Sequence, residues 1–212
     1  MTNIADIRRD YKLKSFDEKD AAANPFDQFD SWWQEAITSD IDEVNAMTLG
    51  TVNAAGNVST RIVLLKGYTR EGFVFFTNYH SSKGSAIAAH PQVSLLFFWK
   101  ELERQVRIEG IAGKISSEES DAYFKSRPEG SKIGAWASPQ SSIIESRAIL
   151  EKNVVKYTDA FKDSDIPRPG HWGGYIVKPN AIEFWQGRSS RLHDRIRYQK
   201  ENSDWMRERL AP

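Results

Sequence analysis

The stretch Glu183–Arg195, reading EFWQGRSSRLHDR, gathers Arg188, Arg191, Arg195, His193 and Trp185 around Gly187. Guanidinium forks match phosphate or carboxylate oxygens, imidazole titrates near neutrality, and an indole offers a face for stacking. Such a set suits a flat, anionic ligand, although a solvated basic loop after an edge strand has the same composition. Other cations sit beside hydroxyls and aromatics. Arg61 and Lys66 bracket the run IVLL, Ser81, Ser82 and Lys83 open a predicted helix, and Tyr123, Arg127 and Ser131 cluster at the end of another. Hydroxyls and a lysine at a helix N-terminus make a ready phosphate site. Singly, each has a plain structural use: Lys66 as a strand-end surface lysine, Ser81 as an N-cap, Arg127 as a partner for a helix C-terminus.

Other chemistries are set aside. GxSxG, GxGxxG and HExxH are absent, and GIAGK at Gly110–Lys114 lacks the spacing and hydroxyl of a phosphate loop. His80, His90 and His171 are scattered without metal-ligand spacing, so no metal is expected and each is read as structural or exposed. With no cysteine in 212 residues, thiolate catalysis and zinc–thiolate sites are excluded. The 29 basic and 29 acidic residues balance, which argues against a nucleic-acid or anionic-membrane partner. Neither the N-terminal MTNIADIRRDY nor the apolar window Val93–Trp99 is long and apolar enough to enter a bilayer, so a cytoplasmic protein is expected.

These side chains must be held by a scaffold. Residues 1–23 are polar, charged and weakly periodic and read as a mobile arm or lid; one domain over residues 24–212 follows. Asn24 and Pro25 predict a helix start, with Phe26, Phe29, Trp33 and Ile37 on its apolar stripe. Strands are predicted at Ala46–Asn53, Val58–Lys66, Phe73–Asn78, Val93–Trp99, Arg104–Ile115, Tyr175–Val177, Ala181–Gln186, Asp194–Lys200 and Asp204–Arg209. Helices are predicted at Ser81–His90, Ser117–Arg127 and Ile144–Phe161, with DSDIPRPGHWGG as a loop. Val106 and Ile108 alternate with Gln105, Arg107 and Glu109, so Gln105 faces out of its sheet. The pattern is mainly β: an antiparallel, Greek-key-like barrel with peripheral helices.

Nine strings in order carry a resemblance: RIVLLK (61–66), FFTN (75–78), ERQVRIEG (103–110), YFKSRP (123–128), IGAWAS (133–138), QSS (140–142), FWQG (184–187), RLHDR (191–195) and the ending ERLAP. Together the chain resembles the pyridoxine/pyridoxamine 5'-phosphate oxidase family from about Arg8 onward. The resemblance implies an FMN-binding split β-barrel and a homodimer with FMN at the subunit interface. It implies oxidation of pyridoxine 5'-phosphate or pyridoxamine 5'-phosphate to pyridoxal 5'-phosphate by hydride transfer from C4' to flavin N5, with O2 reduced to H2O2. A chain without cysteine or a metal cluster needs an organic cofactor for redox work, which agrees.

By the same resemblance, Arg61, Lys83, Gln140 and Ser141 hold the FMN phosphate, with Ser82 where the family usually has arginine. The main chain of Ile62, Val63, Leu64 and Leu65, with Lys66, Phe76 and Thr77, lines the cofactor, while Gln105, Trp185 and Arg195 border its ring and ribityl parts. Lys66, Tyr123, Arg127 and Ser131 grip the substrate phosphate. Arg191 and His193 act on the substrate ring, Arg191 first as the group that orients or polarises the C4' substituent, and Arg8 and Tyr11 cover it. Arg188 is left outside this set, with Ser189 and Ser190 as a spacer. Two other readings compete: a split-barrel flavoprotein for another substrate, which has no need of the phosphate-gripping set, and a barrel binding single-stranded nucleic acid, which the balanced charge disfavours.

Overall fold

Alternation of apolar and polar residues gives nine strands, all antiparallel, in the computed structural model, which describes residues 3–7 and 9–212. They are β1 (Ala46–Val52), β2 (Val58–Leu64), β3 (Gly67–Thr69), β4 (Gly72–Asn78), β5 (Gln92–Trp99), β6 (Arg104–Lys114), β7 (Trp172–Gln186), β8 (Asp194–Glu201) and β9 (Asp204–Arg209). Five helices accompany them: α1 (Pro25–Ile37), α2 (Ser82–Ala89), α3 (Ser117–Ser126), α4 (Glu129–Ala137) and α5 (Arg147–Ala160). On β6 Val106 and Ile108 are buried while Gln105 and Arg107 are half-exposed, the one-sided strand that the alternation predicts.

The long strand β7 organises the sheet. It pairs with β6 from Tyr175 to Gln186; on its other edge it pairs first with β4, from Trp172 to Val177, and then with β8, from Ala181 to Gln186. The sequence predicts two strands here with a loop between them; the structure has one. Pro179, which has no N–H for a ladder, sits opposite a register shift between Glu109 and Gly110, so the strand passes through it as a bulge. Gly110 permits the close approach, since a Cβ there would lie 2.4 Å from the Lys178 carbonyl oxygen.

The ring is closed by the segment from β2 to β3, and closed incompletely. Leu65 N–H donates to the Asn45 carbonyl and Lys66 N–H to the Val74 carbonyl, each at 2.8 Å, so the chain leaves β1 and joins β4. Among the described residues, β2 has no strand on its outer edge, and β4 beyond Val74 has none on the side where β3 pairs. The bare edges of β2 and β4 therefore border a cleft.

Helix α1 covers the core side. Asn24 caps it as predicted, its side chain accepting from Phe26 N–H, and Phe26, Phe29, Trp32 and Ala36 are buried. The predicted stripe is thus displaced: Trp33 is half-buried, and Ile37 is 45% exposed. Ser116 and Glu119 form the capping box of α3, and α5 starts at Arg147 rather than Ile144. Helix α4 was not predicted, because Pro128 before it and Gly130 and Gly134 within it are poor helix formers that tertiary packing overrides. The N-terminal stretch lies on the barrel: Leu13 N–H donates to Glu103, Phe16 N–H to Asp194, and the Phe16 ring is buried against Trp32 and Phe184. Arg8 lies outside the described residues.

Candidate active site

The cleft between β2 and β4 is a cavity of about 600 Å³. Ile62, Val63 and Leu64 form one wall, Phe76 and Thr77 another, and Lys66, Lys83, Tyr123, Arg127, Ser131, Gln140 and Trp172 close it. Three of these residues are cations, and no carboxylate lines it among the described residues. Packing fixes the aromatic part: Tyr123 stacks on Phe76 at 3.9 Å and Phe76 on Trp172 at 5.4 Å, and the Arg127 guanidinium lies 4.6 Å from the Trp172 ring centre. Nη1 of Arg127 is buried and has no hydrogen-bond partner. Burial lowers the pKa of Arg127; it does the same to Lys83, where the Arg61 cation adds to it. Uncompensated cations of this kind are costly unless an anion arrives.

Helix α2 presents Lys83 to this cleft. Ser81, fully buried, caps the helix by accepting from Gly84 N–H, and Gly84 is required because a Cβ would lie 2.2 Å from the Tyr79 carbonyl oxygen. Lys83 Nζ donates to Gln140 Oε1 at 2.9 Å, so the two residues are already joined. Arg61 is turned onto its own hairpin, donating to the Leu49 carbonyl, Thr51 and Ser59. It does not line the cavity, yet its charge reaches Lys83. Leu65 is buried and its N–H and carbonyl are both taken by Asn45, whereas Ser82 and Ser141 are exposed, the latter with a left-handed φ of 70°.

A second cavity of about 470 Å³ is lined by Tyr11, Arg188, Arg191 and His193 with Ile7, Arg9, Asp10 and Ser190. Trp185 and His193 rings lie 4.6 Å apart, and Tyr11 meets Trp185 edge-on at 5.7 Å. The Tyr11 ring rests on bare Gly187, where a Cβ would come within 2.7 Å of it. Ser190 and Arg191 both take left-handed φ, 56° and 63°, which turns the chain sharply. His193 Nδ1 accepts from Arg188 N–H at 3.1 Å, so its neutral form carries the proton on Nε2. Burial and then the Arg191 charge lower the pKa of His193, with Asp194 opposing them.

Strand register sets Gln105, Trp185 and Arg195 in one row across β6, β7 and β8. Arg195 is forked onto the buried Glu183 at 2.9 and 3.1 Å and also donates to the Ala211 carbonyl. Arg188, left out on sequence grounds, bonds Asp194 at 2.9 Å and lines the second cavity. Sequence reasoning gave no role to Trp172, Glu183 or Asp194, because Trp172 stacks on Phe76, Glu183 bonds Arg107 as well as Arg195, and Asp194 takes Phe16 N–H and Arg209, partners that come largely from distant segments. Among the described residues none lines both cavities, so those expected to meet one substrate stand as two separate groups within the chain.

A family model described as pyridoxamine 5'-phosphate oxidase matches residues 33–160, and one described as the pyridoxine 5'-phosphate oxidase C-terminal dimerisation region matches residues 172–212. The chain belongs to the pyridoxine/pyridoxamine 5'-phosphate oxidase family. It is 56% identical to proteins of that name from Burkholderia multivorans and Paraburkholderia phytofirmans, with 100% of both chains covered in each comparison. Among solved structures it is similar to PhzG from Burkholderia lata 383, determined with tetrahydrophenazine-1-carboxylic acid, at a TM-score of 0.86 and 28% identity over 92% of this chain and 95% of that one. An FMN-binding, pyridoxamine 5'-phosphate oxidase-related protein from Nostoc punctiforme shares the fold, with a TM-score of 0.69 and 17% identity over 90% of this chain and 100% of that one. The architecture is thus the family's split barrel, and the cleft is the opening in it. No helix among the described residues is long and apolar enough to cross a membrane.

Proposed function

We propose that the chain is an FMN-dependent oxidase that converts pyridoxine 5'-phosphate or pyridoxamine 5'-phosphate to pyridoxal 5'-phosphate, working in the cytoplasm as a homodimer. The observation that carries this reading is the cleft with three cations, no carboxylate and a buried, unpartnered Arg127 Nη1. The donor set fits two phosphates. Lys83, already bonded to Gln140 and near Arg61, suits the phosphate of FMN, and Lys66, Arg127, Tyr123 and Ser131 suit the dianion of the substrate. Ile62–Leu64 and Phe76–Thr77 offer strand edges beside which the flat parts of a cofactor can lie.

Held by Lys83, Gln140 and the β2 and β4 edges, FMN would supply the acceptor for the C4' hydride and the route for two electrons to O2, with the substrate's O–H or N–H proton leaving to give H2O2. From pyridoxamine 5'-phosphate the resulting imine takes up water and releases ammonia to give the aldehyde, and the protein supplies position and charge. Stacked aromatics hold the phosphate end rigid, so that C4' is placed by the substrate's own geometry. Arg191 orients or polarises the C4' substituent, and His193 offers the Nε2 proton as a hydrogen bond. Tyr11 excludes water from above, and Trp185 and Gln105 border the cofactor ring. Because the phosphate-gripping set and the Arg191–His193 set line different cavities, the working site joins the first from one copy to the second from another. The match of residues 172–212 to a dimerisation region supports this.

The reading is tested by loading the purified protein with FMN, adding pyridoxamine 5'-phosphate in air, and following pyridoxal 5'-phosphate and H2O2. Equal yields of the two products are expected. A protein that binds FMN but leaves this substrate unchanged points instead to another ligand, as the PhzG relative carries.

A further inference from the structure

Arg127 is held differently from most of the other arginines: Arg104 also lies over a ring, 4.3 Å from the Trp32 centre, but meets Glu35 at 3.0 Å, and Arg61 donates to hydroxyls and a carbonyl. Arg107, Arg168, Arg188, Arg195, Arg197 and Arg209 all meet a carboxylate within 3.1 Å. Arg127 instead rests on aromatic faces, 4.6 Å from the Trp172 ring centre and 5.5 Å from that of Phe124. The difference has a chemical meaning. A carboxylate fixes a guanidinium and also cancels the charge that an incoming phosphate must feel, whereas a ring face fixes it and leaves the charge standing.

Trp172 is itself immobilised. It is 7% exposed, pairs in register with Asn78 on β4, stacks on Phe76 and meets the Phe124 edge at 5.1 Å. The stack runs on through Phe76 to Tyr123, so one rigid column connects two of the groups aimed at the same anion. We propose that Trp172 is the positioning residue of the substrate-phosphate grip, holding the Arg127 guanidinium in an un-neutralised, pre-oriented state. This deepens the proposed function and rests on its placing of the substrate phosphate at Arg127.

The test uses FMN-loaded protein, so that the cofactor phosphate is already accommodated. Steady-state constants for pyridoxamine 5'-phosphate, and the dissociation constant of inorganic phosphate by calorimetry, are compared for wild type, Trp172→Leu, Trp172→Phe, Arg127→Met and the double variant Arg127→Met/Trp172→Leu. Trp172→Leu is expected to raise KM and the phosphate dissociation constant together by roughly tenfold, with kcat within about twofold, because a desolvated cation–π contact has that weight. Trp172→Phe keeps a ring face and recovers most of the loss. In the double variant, Trp172→Leu adds little to Arg127→Met.

Full additivity in the double variant, or a fall in kcat with KM unchanged, overturns the positioning role. If Trp172→Leu fails to fold, Trp172→Phe against Trp172→Met makes the same comparison, and equal constants for those two overturn it as well. A wild type that binds phosphate through Arg127 and Trp172 yet does not oxidise pyridoxamine 5'-phosphate sustains the grip and removes the substrate assignment alone.

Discussion

His193 is built to stay neutral. A proton added to it goes to Nδ1 and breaks the bond from Arg188 N–H, while burial and the Arg191 charge oppose the cation. Its folded pKa therefore lies below the ordinary 6.5, and the unfolded chain takes up the proton first. That contribution to stability is complete above the ordinary range and is lost as pH falls below it. For catalysis, kcat/KM should hold through neutrality and drop on an acid limb centred below 6.5. Arg191→Gln removes the cation that opposes protonation of His193, so it should move that limb upward while lowering turnover, with FMN content unchanged. A pH–rate profile measures the limb and the absorbance spectrum the flavin. An unmoved limb, or loss of flavin, contradicts the roles given to these two residues. Little of this was visible in the sequence: RLHDR supplied the residue types, but the left-handed turn at Ser190 and Arg191 that aims them is a backbone feature.

At the scale of elements, α2 and the N-terminal stretch each make a prediction. Ser82 occupies the first helical position of α2 and is exposed beside Lys83, so arginine can be placed there without disturbing the core. Ser82→Arg should tighten FMN binding severalfold, since a charge-assisted bond is about twice as strong as a neutral one. Fluorescence titration with FMN decides it, and an unchanged or weaker affinity counts against Lys83 as a phosphate ligand. The N-terminal stretch is fastened by Arg209, which bonds Glu18, Asp17 and Asp194, while Asp194 also takes Phe16 N–H. The Arg209 bond holds the Glu18 carboxyl down from 4.5 to about 2. A depressed carboxyl stabilises the docked form above its ordinary pKa and ceases to as pH falls toward the depressed value. Protection of residues 13–20 against hydrogen exchange, taken relative to the intrinsic rate at each pH, should fall between about pH 4.5 and 2, and Arg209→Gln should lower it already at pH 7. Protection that survives this substitution shows that Phe16 burial alone docks the segment.

Elements governed by local rules were legible: the Asn24–Pro25 start, the α3 capping box and the alternation along β6 follow from neighbours in sequence. Those decided by distant partners were not. Pro179 reads as a strand breaker until the bulge opposite it is known, and the bond between Glu18 and Arg209 spans 191 residues.

Across the whole molecule, the residues expected to meet one substrate are divided between two cavities. Motif order in the sequence pointed to the right family, yet it could not say that Lys66, Tyr123 and Arg127 line one cavity and Tyr11, Arg191 and His193 another. That separation comes from the topology, in which β7 carries β4 on its first half and β8 on its second. In the proposed function, the site is completed by pairing the chain with a copy of itself. A two-chain oxidase site is tested by mixing Arg127→Met, whose KM is raised, with Arg191→Ala, whose turnover is impaired, under conditions that let subunits exchange, and assaying oxidation at a pyridoxamine 5'-phosphate concentration far below the Arg127→Met KM. In a mixed dimer one site carries both defects and the other neither. Random exchange makes about half the dimers mixed, so the mixture should recover roughly a quarter of wild-type activity. A mixture no more active than the two variants alone, with exchange verified by mass spectrometry, contradicts it.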